Sequence, residues 1–104
     1  MESEGLFAVL SKFAIANDMT PEVKSAFVAR PHLVDSAEGF VRLDVLSPLD
    51  RSNEIWLLTY WRDRRSFEVW HKSHLYRDAH RGIPKGLKLI PGDTEIRFFE
   101  HVTA

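Results

Sequence analysis

The sequence predicts an α+β unit of order β-α-β-β-α-β, a split βαβ or ferredoxin-like subunit, on three observations. Two apolar runs, Phe40 to Leu46 and Ile55 to Trp61, flank the turn Ser47-Pro48-Leu49-Asp50 and read as a central hairpin. A helix start signal stands on each side of that hairpin, at Thr20-Pro21-Glu22 and at Asp63. The chain opens and closes on strand-like segments, Phe7 to Asn17 and Thr94 to Val102.

The first segment alternates loosely, with Phe7, Val9, Phe13 and Ile15 on one side and Leu10, Ala14 and Ala16 on the other. That is the period of two a pleated strand imposes, and it puts Asn17 on the side of Phe13 and Ile15. In Thr20-Pro21-Glu22 a side-chain oxygen can cap, proline fits the first helical position, and the acid meets the positive end of the helix dipole. The helix carries Val23, Ala26 and Phe27 on one face, and Pro31, with no N–H to offer, ends or kinks it. Glu38-Gly39 is a turn ahead of the hairpin. Beyond the hairpin, Asp63 caps a helix through Phe67 and Trp70. Ser73 then offers a fresh cap for a short helix through Tyr76 to His80, so this segment is two short helices or one bent one. Gly82, Pro84, Gly86, Pro91 and Gly92 punctuate a long loop before the last strand.

The run Ile55-Trp56-Leu57-Leu58-Thr59-Tyr60-Trp61 is apolar or aromatic on both faces, whereas the helices can cover only one. A second copy packed sheet against sheet would cover the other and close a barrel about a two-fold axis. The expected assembly is therefore a homodimer forming a dimeric α+β barrel, with Trp56, Tyr60 and Trp61 as sheet or dimer-interface core.

At 104 residues the chain has room for one domain, 1–104, and shows no repeat or linker. A formal net charge of -1 gives no global attraction to phosphate backbones or anionic lipids, so neither nucleic acid nor membrane is an expected partner. The absence of cysteine removes disulfides, thiolate metal sites and cysteine nucleophiles, and fits a cytoplasmic setting. No apolar run approaches the ~20 residues of a membrane span. The acidic, then apolar, N-terminus reverses the order of a signal peptide.

The residues that stand out chemically are Asn17, Trp70 and His80. In one straight helix Trp70 and His80 would lie about 15 Å apart along the axis, too far to share a small substrate but within reach of a broad flat one. Taken singly, His80 reads as a surface or cap histidine, Trp70 as a core anchor, and Asn17 as a strand-end residue bonding its own turn. His71 and His74 with Asp78 have helical spacing for a metal site, but such pairs arise easily by chance. His32 and His101 read as surface or edge residues. No phosphate loop, nucleophile elbow or kinase-type motif is present.

Phe13-Ala14-Ile15-Ala16-Asn17, Ala37-Glu38-Gly39-Phe40, Leu58-Thr59-Tyr60-Trp61 and Ser66-Phe67-Glu68-Val69-Trp70 resemble the antibiotic-biosynthesis-monooxygenase superfamily. Within it, Trp70-His71-Lys72-Ser73 leading to Tyr76-Arg77-Asp78-Ala79-His80 is similar to the IsdG-type haem-degrading monooxygenases. The resemblance runs from about Phe7 to Val102 and implies the dimeric barrel fold. It also implies that His80 ligates haem iron proximally while Asn17 and Trp70 line the opposite side, where O2 binds. Neutral imidazole is a good axial ligand, an asparagine amide donates a hydrogen bond without delivering a proton, and an indole can press the macrocycle out of plane. Haem would be both substrate and cofactor, an external electron-donating reductase would be needed, and iron would be released. Arg81, Lys85 and Lys88 are candidates to pair with the haem propionates, or the loop carrying them could close over the pocket; otherwise they are solvated loop charges. The superfamily leaves two other readings open: a haem carrier without turnover, and a cofactor-free monooxygenase of quinols or aromatics.

Overall fold

The structure, a computed structural model, describes residues 6–30, 32–73 and 86–103. The elements follow in the order β1 (Phe7–Ala14), α1 (Thr20–Val28), a 3-10 turn (Leu33–Ser36), β2 (Phe40–Leu46), β3 (Glu54–Trp61), α2 (Arg64–His71) and β4 (Glu95–Glu100). The strands form one antiparallel sheet in the order β2-β3-β1-β4, the α+β ferredoxin-like arrangement expected.

The pairing of β1 with β3 runs from Phe7 opposite Trp61 to Ala14 opposite Glu54. With a period of two, this register places Phe7, Val9 and Phe13 beside Trp61, Thr59 and Ile55 on the face the helices cover. Two apolar clusters lie on that face. One gathers Val9, Val34, Trp61 and Trp70 with Phe7, Phe40 and Phe67 under α2; the other gathers Ile15, Val23 and Ile55 with Phe13, Phe27 and Leu87 under α1. Ile55 at 0% exposure and Trp61 at 1% are the most enclosed side chains.

Local chemistry explains each helix end. Asp63 is the N-cap of α2: its Oδ1 accepts from the Ser66 backbone N–H and from the Ser66 hydroxyl, both at 2.8 Å. Those donors, the backbone N–H first, hold the Asp63 carboxyl below its ordinary range. Ser73, expected to open a new helix, closes this one, its hydroxyl donating to the Trp70 carbonyl oxygen at 2.7 Å. The helix expected over Tyr76 to His80 lies outside the described residues.

Two expectations need correction, and a third falls partly outside the described residues. Thr20 is not the cap of α1: Met19 occupies that position and no side chain caps, because Asp18 turns through a left-handed φ of 58° and starts the helix one residue early. Helix α1 ends at Val28, before proline, with the Ala29 N–H bonded to the Ser25 carbonyl at 3.0 Å; Pro31 itself lies outside the described residues. Finally, β1 stops at Ala14, since Ile15 makes only an isolated bridge to Leu89 and Asn17 sits in the bend that follows.

The 3-10 turn, which the periodicity did not reveal, buries Val34. Gly39, three residues beyond it, has φ 81°, and a Cβ there would collide with Ser66, so the turn needs glycine both for conformation and for room.

The other face of the sheet has no helix on it among the described residues. The strand alternation puts Leu10, Leu58, Trp56 and Tyr60 there, each half-buried, with Phe99 38% exposed. Charge pairs rim it, Arg42 with Asp44 at 2.8 Å and Lys12 with Glu95 at 3.7 Å. No described helix is long and apolar enough to cross a membrane.

Candidate functional site

Asn17 lies where β1 gives way to the bend before α1. Residues 86–90 run beside that end of the strand: the Ala16 N–H donates to the Lys88 carbonyl at 2.8 Å, and the Ile90 N–H donates to the Ala14 carbonyl at 2.9 Å. The Asn17 side chain extends this short ladder by one rung. Its Nδ2 donates to the Gly86 carbonyl at 2.7 Å, and its Oδ1 accepts from the Lys88 backbone N–H at 3.3 Å. The amide therefore does not bond its own turn but a segment 69 to 71 residues further along the chain. A second amide works on the opposite side of the strand end. Asn53 Nδ2 donates to the Ile15 carbonyl at 3.2 Å, while the Ile15 N–H donates to the Asn53 carbonyl at 2.8 Å.

Trp70, on the last turn of α2, is 8% exposed and packs in the cluster of Val9, Val34 and Trp61. Asn17 borders the other cluster, through Ile15 and Leu87. Val9 in β1 and Ile15 just beyond its end, one in each cluster, are six residues apart, about 20 Å at the rise of a strand. The structure thus sets Asn17 and Trp70 toward opposite ends of the helix-covered face and does not bring them into one cluster.

His80, Arg81 and Lys85 lie outside the described residues, as do His74 and Asp78 of the helically spaced His71, His74 and Asp78 set. Lys88 is exposed, beside Asn17. His71 is exposed and its ring stacks on Phe67 with centroids 5.4 Å apart. No group of His, Asp and Glu side chains able to hold a metal ion occurs among the described residues.

Sequence reasoning missed Asn53 and the role of Gly86 and Leu87. Asn53 follows Ser52 in a stretch that reads only as turn, and nothing local ties it to Ile15. Leu87 was passed over as loop, although an apolar residue between Gly86 and Lys88 in a polar stretch is a packing signal, and here it packs against Ile15 and Val23.

The family model for antibiotic biosynthesis monooxygenase matches residues 6–82. The chain belongs to that family. Among curated members, the heme oxygenase (mycobilin-producing) of Mycobacterium tuberculosis is 28% identical over 50 residues, 48% of either chain, so the match spans about half of that protein's length. The heme oxygenase (staphylobilin-producing) 1 of Staphylococcus aureus is 24% identical over 79 residues, 74% of this chain and 73% of that one. In solved structures the family fold recurs: SnoaB, a cofactor-independent oxygenase from Streptomyces nogalater, superposes with TM-score 0.75 at 17% identity over 96% of each chain. A conserved protein from Methanosarcina mazei gives TM-score 0.73 at 17% identity, again over 96% of each. At such identities the two structures speak for the fold alone.

Proposed function

We propose that this family member is a haem-degrading monooxygenase, binding haem as its substrate through His80 and opening the porphyrin ring with O2 and electrons from an external reductase. Iron is released as the ring opens. The observation that carries the reading is the Asn17 amide, a neutral donor fixed at the end of β1 beside the exposed Lys88, in a chain whose relatives include two haem oxygenases. When bound, the haem iron supplies the activation of O2.

The chain's own residues divide the remaining work. His80 would ligate the haem iron, a role suited to neutral imidazole. Asn17 would donate a hydrogen bond to a group bound beside it; because an amide does not ionise, it would orient without protonating. Trp70 is a stiff wall, since its indole is packed against Val9, Val34 and Trp61 and has little room to yield to a macrocycle pressed on it. Lys88, with Arg81 and Lys85, pairs with the carboxylates at the rim of the substrate. The apolar second face of the sheet, with Leu10, Leu58 and Phe99, is the homodimer interface that closes the barrel.

The test is an aerobic reaction of the haem complex with ascorbate or a reductase, followed by Soret decay and iron released to a chelator. The native protein loses its Soret band and frees iron, and Asn17→Ala binds haem but turns it over more slowly. A stable Soret band under reductant and air contradicts turnover and leaves a haem carrier. Oxygen uptake with a quinol in haem-free His80→Ala protein contradicts the haem reading and points to the cofactor-independent branch.

A further inference from the structure

We infer that the backbone of Gly86 and Lys88 is the positioning element for the Asn17 amide, fixing the direction in which its remaining N–H points. The inference deepens the haem reading above and rests on it for the consequence in turnover.

A primary amide has two N–H donors and one carbonyl acceptor in a single plane. Residues 86 and 88 engage one donor and the acceptor together, at 2.7 and 3.3 Å, from backbone groups two residues apart. Two bonds to one segment define the amide plane; one bond alone would leave it free to swing. The segment in turn is held against β1 by the Ala16 to Lys88 and Ile90 to Ala14 hydrogen bonds and by Leu87 packing on Ile15 and Val23. The second N–H is therefore presented from a fixed plane, and this pre-organisation is what makes a single weak donor useful in orienting a reacting group. Lys88 thus carries two separable roles, an exposed ammonium on its side chain and a hydrogen bond to the Asn17 carbonyl oxygen from its backbone N–H.

Lys88→Pro removes both the ammonium and the N–H, whereas Lys88→Ala removes only the ammonium; the difference between them isolates the backbone bond. The amide has a direct reading in 15N relaxation of the Asn17 side-chain NH2. In the native chain it is expected to be as ordered as rigid backbone, with an order parameter near ~0.85, and to fall below roughly 0.6 in Lys88→Pro but not in Lys88→Ala. With haem bound, turnover per bound haem is expected to be about tenfold lower in Lys88→Pro than in Lys88→Ala, the order of effect of one misaimed hydrogen bond. A native NH2 that is already mobile overturns the proposal and needs no variant to fold. Equal turnover in the two variants, with both complexes formed, overturns it as well. If no variant and no native protein shifts the Soret band, the haem reading fails, while the ordered NH2 in the native chain still upholds the clasp and a mobile one still overturns it.

Discussion

The two ends of the helix-covered face are built on different physics. Under α2, Val9, Trp61, Trp70, Phe40 and Phe67 interlock, and Trp61 is 1% exposed with edge-on contacts to Phe40 and Phe67 at centroid distances of 5.5 and 5.8 Å. At the far end of β1 the chain is tied by two side-chain amides, Asn17 to residues 86 and 88 and Asn53 to Ile15, over a smaller apolar cluster. The aromatic end is a foundation, because packing is strong and tolerates no rearrangement. The amide end is held by bonds worth about 1 kcal/mol each net, which can direct a polar group without locking the whole fold around it.

The difference can be probed in order of size. Trp61→Ala, at the foundation, is expected to cost about 3–5 kcal/mol, read as a fall in the urea midpoint at unchanged slope. Ile55→Val, in the smaller cluster, removes one methyl from a side chain with no exposure and is expected to cost about 1 kcal/mol by the same measurement. Asn53→Ala, at the amide end, gives up the bond to the Ile15 carbonyl and is expected to cost about 1 kcal/mol. If Asn53→Ala proved as damaging as Trp61→Ala, the contrast between the ends would be void.

The smallest effect concerns pH. Asp63 titrates below its ordinary value near 3.8 because the Ser66 N–H and hydroxyl favour its charged form. A carboxyl depressed in the folded chain stabilises it fully above the unfolded value, and that contribution is lost as pH falls through the folded one. Asp63→Asn should therefore flatten the decline of the melting temperature below pH ~4 relative to the native chain, leaving the profile near neutrality parallel.

Much of the fold was legible in the sequence because it is written in local patterns. The bounds of β2 and the capping of α2 by Asp63 follow from turn residues and a helix-start residue that act on their immediate neighbours. The apolar character of β3 on both faces came from an apolar run that does not alternate. Periodicity could not report partners distant in the chain. Taken singly, Asn17 read as a strand-end residue bonding its own turn, and only the family resemblance gave it a place in the site; nothing in its neighbourhood names Gly86 and Lys88. Thr20 read as a cap because the left-handed turn at Asp18 that moves the helix start is a backbone event with no signature beyond a permissive residue. Trp70 was legible as an aromatic of consequence, yet not as a member of the cluster with Trp61, which depends on the register between β1 and β3.

The measurement that bears most directly on the whole account is titration of the native chain and of His80→Ala with haem, followed at the Soret band, with circular dichroism establishing that both are folded. A saturable Soret shift is expected in the native protein, and its loss in His80→Ala. A native protein that leaves the spectrum of free haem unchanged, or a His80→Ala protein that shifts it identically, would contradict the proposed site.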